Sequence, residues 1–268
     1  MAKESTFAYK GSTALITGAS GGLGEAFAEQ LAERGSHLVL VGRSEDKLQA
    51  LARRLERQGK ITATVLTADL ASSTEVDKLV SNLKTRGINV DLLINNAGFG
   101  LFQRFLETPL ERQMEQVDVN VRALVSLTHA LAPAMVARNK GGVINLSSSA
   151  GFQPLAGANI YAASKSFVLL FSEALAQELS ATRVRVLAVC PGPVATGFFA
   201  DKKPDLKRKQ MDNPNAIVKE VLRAFDLGKR VLVPGKLYVR LGAFSARLIP
   251  RALMAQLGES VVRKLNHV

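Results

Sequence analysis

The apolar run Thr13-Ala-Leu-Ile-Thr17 leads directly into Gly18-Ala-Ser-Gly-Gly-Leu-Gly24. A run this short, apolar and glycine-bounded reads as a parallel strand buried on both faces. The glycines let the chain turn sharply and let a ligand approach the backbone. Leu23, Phe27 and Leu31 then recur at four-residue steps, predicting a helix from Gly22 to Arg34 that Gly35 stops. Its first turn offers unpaired N–H groups and a positive dipole end to an anion. The spacing is G-x-x-x-G-x-G, which differs from the G-x-G-x-x-G dinucleotide fingerprint.

The same alternation continues down the chain. His37–Val41, Thr62–Thr67, Asp91–Asn95, Gly142–Leu146, Val184–Cys190 and Arg230–Val233 read as strands. Helices are expected from Ser44, as N-cap, through Gln58, and from Ser73 to Arg86. Thr108 is expected to cap a helix with Pro109 in its first position and Glu111 three residues on. A long helix is expected from Asn120 to about Ala137, kinked or shortened by Pro133. Further helices are expected over Asn159 to about Ala181 and Asn215–Asp226. Repeated βα units imply an α/β fold, a doubly wound parallel sheet with helices on both faces. No Pro/Gly/Ser-rich linker or repeat divides the chain, so a single domain over residues 1–268 is expected.

Composition narrows the class. Hydrophobic residues make up 47% of the 268, which argues against disorder. The one cysteine, Cys190, excludes an internal disulfide and fits a reducing compartment. The first residues lack the pattern of a secretory leader, and no apolar run approaches the ~18 residues that span a bilayer. A cytoplasmic location is the expectation. The net charge of +12 is concentrated late, because residues 201–268 hold 15 Lys/Arg against 6 Asp/Glu. Such charge can attract nucleic acid, anionic lipid or an acidic ligand, or simply be solvated. No zinc-finger or RNP1-like motif is present, so no nucleic-acid partner is expected.

Tyr161 and Lys165 are four residues apart, on one face of the predicted helix. An ammonium beside a phenol favours phenolate and lowers its pKa from ~10, suiting Tyr161 to exchange a proton with a substrate oxygen. Ser147, Ser148 and Ser149 follow the fifth strand, where a hydroxyl can hold that oxygen. Asn120 can hold a proton-relaying water through its side chain or backbone. At the end of the second strand stands Gly42-Arg43-Ser44, where a carboxylate would favour a free ribose 2′-hydroxyl. Arg43 instead suits a 2′-phosphate, which favours NADP(H) over NAD(H). Asp69 can accept a bond from the adenine amino group.

Thr17-Gly-x-x-x-Gly-x-Gly24, Asp69, Asn95-Asn-Ala-Gly98, Asn120, Ser148, Tyr161-x-x-x-Lys165 and Pro191-Gly-x-Val-x-Thr196 together resemble the short-chain dehydrogenase/reductase family. The match in order and spacing covers about residues 10–200. The resemblance implies one Rossmann-like domain with sheet order 3-2-1-4-5-6-7. It implies a catalytic tetrad of Asn120, Ser148, Tyr161 and Lys165, with Ser148 chosen by its thirteen-residue distance from Tyr161. It gives Lys165 a second role on the nicotinamide ribose. Cofactor contacts are implied for Gly18, Ser20, Gly22, Leu23, Gly24, Arg43, Asp69, Leu70, Asn96, Ala97, Gly98, Tyr161, Lys165, Pro191, Gly192, Val194 and Thr196. Asn95 to Gly100 with Phe102 also resembles a bacterial branch similar to DltE-type oxidoreductases. One departure is Gly21, where NADP-using relatives often carry Arg or Lys. A homodimer or homotetramer through the two long central helices is a further implication.

The substrate is expected to be a small carbonyl or alcohol compound. Its pocket is expected among Ser148, Ala150, Phe152, Gln153, Phe198 and Phe199, joined by Phe99 and Phe102. Aromatic walls suggest an apolar compound, with core packing as the alternative for each side chain. The charged run over residues 201–209 resembles the family's mobile substrate loop and can attract an acyl carrier protein or acyl-CoA; a solvated loop is the other reading. A 3-oxoacyl carrier protein reductase is therefore a narrower alternative, and a non-catalytic nucleotide-binding scaffold is the alternative of another class. Leu237, Leu241, Phe244 and Leu248 form a stripe at helical spacing, continued by Leu253, Leu257 and Val261 after Pro250. With its arginines, this helical extension can cover the core, the cleft or a subunit interface, or make a peripheral membrane contact.

Overall fold

The computed structural model describes residues 6–199, 211–246 and 248–266, with the backbone alone for 199 and 259–266. Seven strands form one sheet in the order β3-β2-β1-β4-β5-β6-β7. They are β1 (Thr13–Thr17), β2 (His37–Gly42), β3 (Ala63–Thr67), β4 (Leu92–Asn95), β5 (Gly141–Leu146), β6 (Val184–Val189) and β7 (Val231–Leu232). Every pairing is parallel. The order reverses between β1 and β4, so the carboxyl ends of those two strands open onto one crevice, where ligands of such sheets bind.

Alternation along each strand sorts the core into two layers. Ala14 and Ile16 of β1 pack with α1 (Gly22–Glu33), α2 (Glu45–Gln58) and α7 (Pro214–Asp226). Leu15 points the other way, into the layer built with α3 (Ser73–Thr85), α5 (Ala123–Ala137) and α6 (Asn159–Glu178). Ser72 caps α3 by accepting the Glu75 N–H, and Asn213 caps α7 by accepting that of Asn215. Two expected caps form differently. Ser44 takes the expected N-cap position of α2 but makes no side-chain capping bond. Thr108 does not cap α4 (Leu110–Val117): Pro109 takes the cap position, and the Thr108 hydroxyl donates to Arg104 O at 3.0 Å.

The greatest departure from expectation is the helix around Asn120. Asp118–Arg122 is a π-helical turn that joins α4 to α5, and the helix continues past Pro133. The joined helix Leu110–Ala137 is long and apolar enough to cross a bilayer by length and composition, contrary to the sequence expectation. Its inward face explains that hydropathy: Leu124, Leu127, Thr128 and Met135 are buried against the sheet, as in a core helix. The C-terminal extension forms α8 (Leu237–Ser245) and α9 (Arg251–Asn266). Here the structure narrows the alternatives, against core cover. Leu237, Leu241, Phe244 and Leu248 are exposed, and Val239 and Ala243 make the inward contacts.

Candidate active site

The glycine turn after β1 is built around close approach. Gly18 has φ +64°, a conformation that L side chains rarely adopt. At Gly24 an added Cβ would collide with the Gly18 carbonyl and stand 2.7 Å from Asn96 Nδ2. The turn is held from β4: Asn96 Nδ2 donates to Thr17 O at 2.9 Å and to Gly18 O at 3.2 Å. Thr17 Oγ1 accepts the N–H groups of Asn96 and Ala97, both at 3.0 Å. No side chain caps α1, so its leading N–H groups are free for an anion. These features fit a dinucleotide pyrophosphate. A cavity of about 620 Å³ opens beside the turn, lined by Gly22, Ala26, Thr196 and Asn213 among others.

The other cofactor candidates surround this crevice. Leu23 packs against the core and Leu70 is buried. Ser20 Oγ lies 3.6 Å from where a Cβ on Gly42 would stand, which brings the turn to the strand end carrying exposed Arg43. Asp69 Oδ1 accepts the Ala71 N–H at 3.0 Å and so shapes its own loop. Across the crevice, Pro191 O accepts the Ser149 N–H, and Thr196 Oγ1 accepts the Phe198 N–H. Val194 is buried, and Gly192 lies under Val239 of α8.

The first turn of α6 carries Tyr161, and Lys165 follows one turn on. Both are buried. Ser148 Oγ accepts the Ala150 N–H at 3.1 Å, and its hydroxyl acts to lower the pKa of the Tyr161 phenol. Of the rival serines, Ser147 is engaged elsewhere, its Oγ donating to Lys165 O at 2.7 Å, and the Ser149 backbone N–H donates to Pro191 O. Lys165 Nζ donates to Leu146 O at 2.8 Å and lies 5.9 Å from the Tyr161 ring centre. Burial pushes the Tyr161 phenol up to about 12, against the lowering influence of Ser148. This reverses the expected lowering, because desolvation is the largest influence on the phenol. Burial also pulls the Lys165 ammonium down to about 8.

Of the two routes expected for Asn120, side chain or backbone, the side chain is engaged with protein groups. Its Nδ2 donates to Phe99 O at 3.0 Å and to Ser164 Oγ at 3.1 Å, and its Oδ1 accepts the Phe99 N–H at 3.1 Å. The side chain therefore pins the β4–α4 loop, and only its backbone is left to hold a water. Sequence reasoning missed Gln116, whose Nε2 donates to the same Phe99 O at 2.9 Å. Its position four residues before Asn120, on the same helix face, was the available signal. Gln113 was also missed, and it holds Phe105 O and Thr108 O. Asn95 stitches the central sheet through Thr128 and Asn145.

The walls around Tyr161 are aromatic. Phe102 and Phe198 stand with ring centres 5.6 and 5.7 Å from it, in a cluster with Ala150 and Leu155. Phe152, partly buried, packs on a separate cluster of Leu169, Ala188 and Cys190. Gln153 is half-buried beside the Tyr161 cluster. Phe99 lies under the Arg112 guanidinium, 5.6 Å from its ring centre. The side chain of Phe199, the basic segment 201–209 and the side chain of Val261 lie outside the described residues.

Comparison with known proteins places this geometry. The family model described as short chain dehydrogenase matches residues 12–207. The very-long-chain 3-oxoacyl-CoA reductase of Homo sapiens is 32% identical over 224 residues, covering 82% of this chain and 70% of that protein. A short-chain dehydrogenase from Sphingobium yanoikuyae, solved with NADPH, superposes with a TM-score of 0.79 at 32% identity, covering 91% of this chain and 95% of that one. The bulky-bulky ketone specific alcohol dehydrogenase from Comamonas testosteroni gives 0.77 at 32% identity, covering 91% and 93%. The chain belongs to the short-chain dehydrogenase/reductase family of NAD(P)(H)-dependent oxidoreductases.

Proposed function

We propose that this protein reduces an apolar ketone or aldehyde with NADPH, with Tyr161 as the proton donor. The observation that carries the reading is the buried Tyr161 phenol, with Lys165 one turn along the same helix and the Ser148 hydroxyl near enough to lower the phenol's pKa. With its phenol raised to about 12, Tyr161 keeps its proton at neutral pH and is set to give it to a carbonyl oxygen. Ser148 positions that oxygen and stabilises the charge that develops on it. Lys165 offsets the phenolate left behind, and the Asn120 backbone lines the route by which water can restore the proton. Bound NADPH supplies the hydride to the carbonyl carbon.

The Gly18–Gly24 turn and α1 would hold the pyrophosphate and Arg43 the 2′-phosphate. Asp69, Leu70, Asn96–Gly98 and Pro191–Thr196 would hold the adenine and nicotinamide ends. Cofactor identity is supported by relatives solved with NADPH or NADP+. Phe102, Phe198 and Leu155 favour a bulky apolar substrate, as the ketone specificity of the Comamonas relative also suggests. A 3-oxoacyl thioester is the second reading, favoured by the name of the human relative. We place the chain in the DltE-type branch on Asn95–Gly100 and Phe102. Self-association through α5 and α6 is part of the proposal, supported by exposed Phe167 and Leu170 on α6. The test is NADPH oxidation with a panel of aryl ketones, aldehydes and 3-oxoacyl thioesters. Turnover of an apolar carbonyl supports the reading, and inertness across the panel with NADPH bound overturns it.

A further inference from the structure

We propose that the C-terminal helices dock the protein onto an anionic membrane surface, with the mouth of the Tyr161 cleft turned toward the lipid. Leu237, Leu241 and Phe244 occupy one side of α8, and Leu248 extends the line past its end. Their exposures are 68%, 58%, 63% and 73%. Val239 and Ala243, on the other side, rest on the body of the protein. The helix is therefore already packed, and its more apolar face points outward.

Charge selects the occupant. Residues 236–258 contain Lys236, Arg240, Arg247 and Arg251 and no Asp or Glu. Arg240 pairs with Glu220 of α7, and Arg251 is exposed. An apolar stripe in a segment free of Asp and Glu, with Arg251 exposed beside it, suits the boundary between anionic headgroups and acyl chains. A second copy of the chain would bring the same cations against their own kind, which weakens such an interface.

The place of the helices gives the docking a purpose. Val239 of α8 lies against Gly192 in the nicotinamide segment. A Cβ on Gly258 of α9 would stand 3.0 Å from Leu155, a member of the Tyr161 cluster. The loop that forms the opposite wall through Phe102 leads to Leu106 and Leu110, which also point to solvent. Both sides of the cleft thus carry outward apolar side chains, which suits a lipophilic carbonyl entering from the bilayer. That last step rests on the reductase reading, whereas the docking does not.

The test is co-sedimentation of the full chain with phosphatidylcholine vesicles, with and without phosphatidylglycerol. Binding is expected with phosphatidylglycerol and should weaken as salt rises. The double variant Leu241→Ser/Phe244→Ser and the single variant Arg251→Glu should each lower partitioning on the order of tenfold. Both should leave NADPH oxidation with a water-soluble ketone unchanged. Absence of binding to phosphatidylglycerol vesicles, or binding indifferent to all these substitutions, overturns the proposal. So does self-association in sedimentation velocity that Leu241→Ser/Phe244→Ser abolishes while no vesicle is bound, because the face then belongs to a second copy. Vesicle binding without ketone turnover would count against the reductase reading and leave the docking intact.

Discussion

Substituting Gly24 by alanine tests whether the turn after β1 is a cofactor cradle. The new methyl would stand 2.7 Å from Asn96 Nδ2 and 2.8 Å from the Gly18 carbonyl carbon, where ordinary contact begins at 3.4 Å. It would also collide with the Gly18 carbonyl oxygen. Neither neighbour can yield freely, because Asn96 Nδ2 is bonded to Thr17 O and Gly18 O. Relief requires moving the turn by several tenths of an ångström and breaking or stretching those two bonds, each worth about 0.5–1.5 kcal/mol. Overpacking of this kind costs about 1–3 kcal/mol in a well-packed site. If the strain falls on the turn that must receive the pyrophosphate, NADPH affinity should fall about 10- to 100-fold, or roughly 1.4–2.8 kcal/mol. The protein has no tryptophan, so NADPH fluorescence can be titrated with little protein background. Circular dichroism would confirm that the sheet is retained. A folded Gly24→Ala protein with unchanged NADPH affinity would refute the cradle.

Other outcomes follow from single contacts. Arg43→Ala should weaken NADPH about tenfold or more while changing NADH little, since only the 2′-phosphate needs the guanidinium; equal losses in paired titrations would remove the basis for NADP(H). Lys165 has a folded pKa of about 8 against the ordinary 10.5, so the unfolded chain binds more protons between those values and stability contributed by this group rises with pH across that window. Lys165→Met should therefore stabilise the fold at pH 7 by on the order of 1–3 kcal/mol, and the gain should shrink toward pH 10.5; denaturant midpoints that do not move with pH would contradict this. Gln116→Leu should loosen the Phe99 loop and raise KM for the carbonyl several-fold with little change in NADPH affinity, as steady-state kinetics would read.

The sheet was legible because its strands are short apolar runs closed by glycines or polar turns. Their order followed from family resemblance, and their bounds shifted only by a residue or so at the ends. The placing of Tyr161, Lys165 and Ser148 was legible for a related reason: the first two are neighbours on one helix, and Ser148 follows a strand. What local pattern could not supply was competition between distant groups. The π turn at Asn120 arises where one side chain must reach Phe99 on one side and Ser164 on the other, and neither partner is near it in sequence. The direction of the Tyr161 shift depended on burial by Phe102 and Phe198, which arrive from separate loops. That Phe152 packs on a cluster apart from Phe102 and Phe198 was not legible either, because its position after Ser148 says nothing of which side chains surround it. The stripe on α8 had the spacing of a core face, yet Val239 and Ala243 took the inward contacts.

The central claim is that Tyr161 delivers the proton to the substrate oxygen. The most direct measurement is single-turnover NADPH oxidation by Tyr161→Phe beside the unchanged protein, with NADPH affinity titrated on the same samples. The aromatic contacts with Phe102 and Phe198 survive the substitution, so the cofactor should bind as before. The rate should fall by about 10²–10⁴-fold. A Tyr161→Phe protein that binds NADPH and turns over at an undiminished rate would contradict the account.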